Sequence, residues 1–319
     1  MIPRMGLRDA GHGLANVLPG AAAAVAARLP LPVAESVGSR TALLFGMLPN
    51  RFFRRAVENL ARAFPEQSAA SRVALARGAA AHYGRETAAL ANWFACADPH
   101  RELPAICVNY AELRATIGRD LEGGRGAIYL GGHFGNPQLL SALCGTVAPV
   151  TGVGTDYHRR SHLGFVTEGR QRLGLRYIPE NSPPLDLLRA LQRNELVTFL
   201  PDVQPRRNRG LWLPFFGTPA CTTTFPAALA RLTGCVLRPI YLAREGGRYQ
   251  AIVRDPIAAP DPAEGDAGVA RAMLAWTATL EEEVRRRPEQ WLWMARRWRA
   301  MPEDARPVSL PVTPASPAG

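Results

Sequence analysis

Ala127-Ile128-Tyr129-Leu130-Gly131-Gly132-His133-Phe134-Gly135-Asn136-Pro137-Gln138 decides the reading of this chain of 319 residues. Four apolar residues stop at two glycines, which predicts a short buried strand and its end. Asn136 before Pro137 marks a helix start. Asparagine accepts a bond from an orphan N–H, and proline has no N–H to leave unpaired at the first helical position. The apolar residues of 139–147 supply the helix body. His133 is therefore displayed in a loop at the carboxyl end of a strand, where open α/β sheets place their ligands. That setting suits a base; the bland reading is a histidine that merely satisfies a turn. Gln138, in the first helical turn, is placed to fold back to the imidazole.

Outward from this block the same signals alternate. Helices are predicted over 72–93, 111–120, 161–173, 185–193, 225–233 and 269–287, with Gly174 and Gly234 ending two of them. The prolines of 99–104 break the chain after the first. Extended segments are predicted over 151–157, 176–178 and 196–200, and Gly246-Gly247 joins 236–243 to 248–254 as a hairpin. Strands alternating with helices give an α/β sandwich, a mostly parallel central sheet flanked by helices with one antiparallel hairpin. Residues 56–301 read as one domain able to bury a sizeable core, and 302–319, rich in Pro, Ala and Ser, as a disordered tail.

The formal charge of +11 points to an anionic partner, and all 38 Lys and Arg side chains are arginine, which suits bidentate phosphate contacts and interfacial anchoring. An anionic membrane surface or a phosphorylated lipid fits. No nucleic-acid module appears, and the arginines surround no stacking platform, so no nucleic-acid partner is expected. Residues 13–34 are apolar but interrupted by Pro19, Arg28, Pro30 and Pro32; the clean run 21–27 falls short of the ~20 residues that span a bilayer. Arg4 and Arg8 precede it, without a convincing cleavage region. Residues 43–48, then Arg51-Phe52-Phe53-Arg54-Arg55, combine apolar bulk with clustered charge, the make-up of an interfacial segment. An amphipathic helix with a solvated basic face is the alternative. Residues 1–55 are thus read as a membrane-contacting segment. The five cysteines form no Cys-x-x-Cys pair, and neither they nor the six histidines show ligand spacing, so no metal is expected.

With three further strings and a strand ending in Asp202, the histidine block carries a family resemblance. The strings are Asn59-Leu60-Ala61-Arg62-Ala63-Phe64-Pro65-Glu66, Pro214-Phe215-Phe216-Gly217-Thr218-Pro219-Ala220 and Pro288-Glu289-Gln290-Trp291-Leu292-Trp293-Met294-Ala295-Arg296-Arg297-Trp298, and the strand is Phe199-Leu200-Pro201-Asp202. Together they resemble the lipid A late-acyltransferase branch (lauroyl and myristoyl transferases) of the lysophospholipid and lipid A acyltransferases, with their His-x4-acid motif. The resemblance covers most of the chain. It implies a glycerol-3-phosphate acyltransferase-like sandwich at the cytoplasmic face of the bacterial inner membrane, held there peripherally. It also implies transfer of a fatty acyl chain from acyl carrier protein or acyl-CoA, with no other cofactor, to a hydroxyl of a glycolipid or lipid A-type acceptor.

On this resemblance His133 is the general base and Arg170 holds a phosphate or polarises the thioester carbonyl, unless it is one more surface arginine. Asp202 pairs with Arg170 to shape the site, or only caps its loop. Gly132 and Asn136 contact substrate, and donors near Gly131-Gly132 meet the developing negative charge. Phe215, Phe216 and Gly217 line an acyl-chain groove, with ordinary core packing as the other reading. Trp291, Trp293 and Trp298 suit an interfacial belt, or a packed C-terminal segment. Two positions depart from the family: Gln138 stands where it carries an acid, and Ala295 where it commonly carries histidine. Gln138 is expected to orient the imidazole through its amide oxygen, so that Gln138→Glu would raise acyl transfer by about 10-fold or more. A catalytically impaired lipid-binding paralogue is the alternative reading. No serine sits in a Gly-x-Ser-x-Gly elbow, which weakens a hydrolase.

Overall fold

The computed structural model describes residues 24–47, 50–154, 164–179, 182–205, 210–299 and 307–308. Its centre is β1 (Ala127–Leu130), every residue of which is buried. Ile128 and Leu130 enter one hydrophobic cluster while Ala127 and Tyr129 enter another, so β1 is covered on both faces and reads as an unbroken apolar run. β2 (Val150–Gly154), β3 (Leu175–Pro179), β4 (Leu196–Phe199), β7 (Val236–Glu245) and β8 (Arg248–Val253) complete a six-stranded sheet of order β3-β2-β4-β1-β7-β8. All neighbours run parallel except β8, which returns antiparallel to β7 across Gly246-Gly247. The α/β class with a mostly parallel sheet agrees with the sequence reading.

The helices are α1 (Leu31–Met47), α2 (Arg51–Ala63), α3 (Ala69–Phe94), α4 (Pro99–Ile106), α5 (Tyr110–Leu121), α6 (Pro137–Gly145), α7 (Gly164–Arg172), α8 (Leu185–Gln192), α9 (Phe225–Thr233) and α10 (Gly265–Arg286). Two differ from the expected pattern for local reasons. Pro30 and Pro32 start α1 rather than interrupt it, because the first helical turn needs no N–H donors. Pro99 does the same for α4: Asp98 accepts from Arg101 N–H and Pro99 takes the first position, so the expected break is a short helix. α1 is welded to α3 where Gly38 faces Gly84. A Cβ on Gly38 would come within 2.4 Å of the Gly84 carbonyl oxygen.

A separate two-stranded ribbon, β5 (Leu211–Phe215) and β6 (Thr218–Thr222), was not foreseen. Pro214 and Pro219 argue against strands, yet they face each other one step from the turn. In a two-residue hairpin that step is the non-hydrogen-bonded pair, whose N–H groups point away from the partner, so proline is tolerated. The loop residues Phe216 (φ 51°) and Gly217 (φ 70°) both adopt positive φ, the type I′ geometry that matches strand twist.

The expected strand end at Tyr157, the helix start at Ser161, residues 1–23 and most of 302–319 lie outside the described residues. Within the last segment, Val308 N–H donates to the Trp212 carbonyl on β5. No described helix is long and apolar enough to cross a membrane.

Candidate active site

Parallel pairing sets the site. Leu130 is in register with Phe199, and Gly131 N–H extends the ladder to the Phe199 carbonyl at 2.9 Å. Counting equally past both strand ends brings His133 opposite Asp202. The His133 Nδ1 lies 2.7 Å from Asp202 Oδ1, and His133 N–H donates to Oδ2 at 2.7 Å. Trp291 Nε1–H gives Oδ2 a third bond at 2.9 Å. Burial pushes the Asp202 carboxyl up; the imidazole charge and these three donors outweigh it and hold the group below the usual carboxylate range. An ionised carboxylate only accepts, so a proton sits on Nδ1, and in the neutral ring Nε2 is the nitrogen that carries the lone pair. The His133 side chain is 33% exposed while Asp202 is fully enclosed.

The turn that presents His133 is fixed on every side. Leu292 N–H donates to the His133 carbonyl at 3.0 Å, and Gly135 N–H to the Gln290 carbonyl at 2.8 Å. Asn136 caps α6 as expected, its Oδ1 accepting from Leu139 N–H at 3.1 Å. Its amide nitrogen donates to the Glu86 carboxylate at 3.0 Å and to the Glu86 carbonyl at 3.3 Å. Glu86 in turn receives the Tyr249 hydroxyl at 2.7 Å, and Arg244 joins it to Glu35 on α1.

Several expected roles are corrected by these contacts. Gln138 is not the partner seen on the imidazole: its Oε1 accepts from Arg170 Nε at 2.9 Å, and the bond to Nδ1 comes from Asp202. Asp202 therefore pairs with His133 rather than Arg170. Arg170 reaches Gln138 because Gly169 lets α7 close on α3, where a Cβ would meet Phe94 at 2.2 Å. Its guanidinium also lies 3.8 Å from the centre of the Tyr177 ring. Asn136 is buried, with its amide committed to Glu86 and the α6 cap. Phe215 and Phe216 are buried in the core rather than lining an open groove, and Gly217 supplies the turn. Trp291, Trp293 and Trp298 are buried as well, which replaces the interfacial belt by packing. Gly132 stays beside the dyad: a Cβ there would lie 3.4 Å from Asp202 Oδ2. Arg206, Arg207 and Arg209, which follow Asp202, lie outside the described residues.

A family described as bacterial lipid A biosynthesis acyltransferase has a sequence profile that matches residues 15–300. The chain belongs to the lipid A biosynthesis acyltransferase family. Over 181 residues it is 25% identical to the lipid A biosynthesis palmitoleoyltransferase of Escherichia coli (strain K12), covering 56% of this chain and 57% of that protein. Over 191 residues it is 30% identical to the lipid A biosynthesis lauroyltransferase of the same organism, covering 56% of this chain and 58% of that protein. The matches thus span a little more than half the length of these curated relatives.

The strings that carry the family resemblance meet in one place. Asn59 donates to the Trp293 and Ala295 carbonyls at 2.7 and 3.0 Å, tying the first string to the last. Phe64 packs edge-on to Phe216 at 5.3 Å, and Phe215 packs against Trp291 at 5.5 Å and Trp298 at 5.6 Å. Trp291 holds Asp202. In this lipid A acyltransferase-family chain, distant strings therefore form one aromatic layer that reaches the enclosed carboxylate behind His133.

Proposed function

We propose that this protein is a membrane-associated O-acyltransferase that moves a fatty acyl chain from an acyl thioester to a hydroxyl of a lipid A-type acceptor. The observation that carries the reading is the His133–Asp202 dyad, set at the carboxyl ends of β1 and β4 in a chain of the lipid A acyltransferase family. Nε2 takes the proton of the acceptor hydroxyl as its oxygen attacks the thioester carbonyl; the tetrahedral adduct expels the thiolate, which recovers that proton from the imidazolium. Asp202 stabilises the imidazolium and stays ionised. No acyl-enzyme is required. Gly131 N–H is held by the sheet ladder, so the Gly132 N–H and the Arg170 guanidinium are the donors proposed for the oxyanion.

The donor is acyl carrier protein or acyl-CoA, and the place of action is the cytoplasmic face of the inner membrane. The rival reading, an impaired lipid-binding paralogue, rests on Gln138 and Ala295. It loses the first of these supports when an acid, Asp202, orients the imidazole. Purified protein given an acyl thioester and a lipid A-type acceptor is expected to release free thiol and acylated lipid, and His133→Ala to release neither. Saturable lipid association without thioester consumption by the native protein would favour the binding reading instead.

Attachment is proposed to run through α1 and α2. Leu44, Phe45 and Met47 are exposed at the end of α1, and Phe52 is exposed at the start of α2 between Arg51 and Arg54. Burial, Arg296 and Arg51 all depress the Arg55 pKa, so positive charge gathers beside this apolar edge. The protein is expected to pellet with anionic vesicles and to be released largely by high salt, because exposed charges are screened within ~8 Å at physiological ionic strength. Release by detergent alone would mean deeper insertion than a monotopic contact.

A further inference from the structure

Arg297 is fully buried, and the hydrogen-bond partners of its side chain are uncharged. Nη2 donates to Thr222 Oγ1 at 2.9 Å and Nη1 to the Cys221 carbonyl at 3.4 Å. The guanidinium lies 4.9 Å from the centre of the Phe215 ring, and among the described residues its Nε has no hydrogen-bond partner. A guanidinium taken out of water for two neutral acceptors is strongly unfavourable unless a negative charge nearby compensates it. Burial draws its pKa down to about 10, and the field of Asp202 is the main opposing influence.

The backbone brings the two charges together. Gln204 N–H donates to the Arg296 carbonyl at 3.1 Å, and Arg299 N–H donates to Gln204 Oε1 at 2.7 Å. Arg296 and Arg299 are thus tied to the backbone and the side chain of Gln204, two positions past Asp202. The Phe215 ring, with Arg297 as a neighbour, packs against Trp291, whose indole N–H bonds Asp202. Both charges are therefore shut into the same dry aromatic layer, where a unit charge is screened far less than in water.

We propose that Arg297 is a positioning residue for the His133–Asp202 dyad: its buried positive charge keeps Asp202 an anion and keeps the imidazole neutral, and so a base, near neutral pH. The proposal rests on the dyad being the proton-transfer machinery of the acyl transfer argued above. Among the described residues, the other charged or titratable groups facing this region are engaged elsewhere. The Tyr241 hydroxyl on β7 pairs with Thr279, Glu283 on α10 is bridged by Arg254, Arg286 and Arg287, and Glu281 holds Phe216 N–H and Arg285. Arg170 meets the neutral Gln138, and burial pushes the Cys221 thiol up.

The test is an NMR titration of the His133 imidazole in the full chain. Arg297→Gln is expected to raise the midpoint of the dyad by about one pH unit, a roughly tenfold change in proton affinity. Thr222→Val, which removes a hydrogen bond to the guanidinium and leaves its charge, is expected to leave that midpoint where it was. An unchanged midpoint in Arg297→Gln would overturn the proposal, as would an equal shift in Thr222→Val. A stability cycle gives a second reading: Arg297→Gln should lower Tm less in an Asp202→Asn background than in the native chain, and equal losses would overturn the coupling. If Arg297→Gln alone fails to fold, recovery of folded protein in the double variant supports the charge pairing and failure to recover overturns it. Neither readout needs turnover, so its failure is distinguishable from absence of acyl transfer.

Discussion

Asp202→Asn is expected to lower kcat for acyl transfer by about 10⁴-fold, as loss of an orienting carboxylate does in other histidine-based sites. The reason is a count of donors. Asp202 Oδ2 accepts two N–H groups, from His133 and Trp291, while Oδ1 meets Nδ1. An asparagine that keeps its oxygen on the two N–H donors turns its NH₂ toward Nδ1, which then must carry the lone pair; the proton moves to Nε2 and the base is lost. Turned the other way, its NH₂ faces two donors inside a buried site, leaving them unsatisfied. Gln138→Glu is the contrasting variant. Gln138 touches Arg170 and not the imidazole, so the new charge meets a guanidinium, and kcat is expected to stay within about 10-fold of native. Single-turnover rates for the native protein and both variants decide the matter. A tenfold or greater gain in Gln138→Glu, or a native rate in Asp202→Asn, would return the orienting role to position 138.

What could be read beforehand was local. The strand before Gly131, the Asn136-Pro137 start of α6, the Gly234 end of α9 and the Gly246-Gly247 hairpin are each written in a few neighbouring residues with a single physical meaning. Asp202 was visible too, as an acid at the end of an apolar strand. Its partner was not, because sequence does not say which strands are adjacent. Only the β1–β4 register brings position 133 opposite position 202. Gln138 is the nearer polar partner along the chain, whereas the observed bond crosses the sheet to Asp202. The aromatic strings leave two readings open for a related reason. Phe215, Phe216 and the tryptophans look alike as a groove lining or as core, and the choice is made by Asn59, whose bonds to the Trp293 and Ala295 carbonyls cross the length of the chain. The β5–β6 ribbon escaped because its prolines occupy the one kind of pair where they do no harm.

Gly135→Ala is expected to destabilise the protein by more than about 4 kcal/mol, which for a chain of this size lowers Tm by roughly 6 °C or more. Gly135 has φ +56°, and a Cβ there would lie 1.7 Å from the Leu242 carbonyl oxygen. The contact is backbone against backbone in the centre of the sheet, because Gly135 bridges Leu242 on β7 while its N–H is tied to the Gln290 carbonyl. Neither side can yield without pulling β7 or the C-terminal segment away. Gly217 supplies the comparison. It has a similar φ of +70° but open space around a Cβ, so Gly217→Ala is charged only for the left-handed backbone, about 1–2 kcal/mol. Thermal unfolding of the two variants separates conformation from contact, and a Gly135→Ala protein melting as high as Gly217→Ala would refute the steric argument. The same contact bears on chemistry, since Gly135 lies two residues past His133 and the turn can aim the imidazole at Asp202 only if the chain passes this close to Leu242. Any Gly135→Ala protein that does fold is therefore expected to lose kcat as well as stability, with the His133 turn displaced from Asp202.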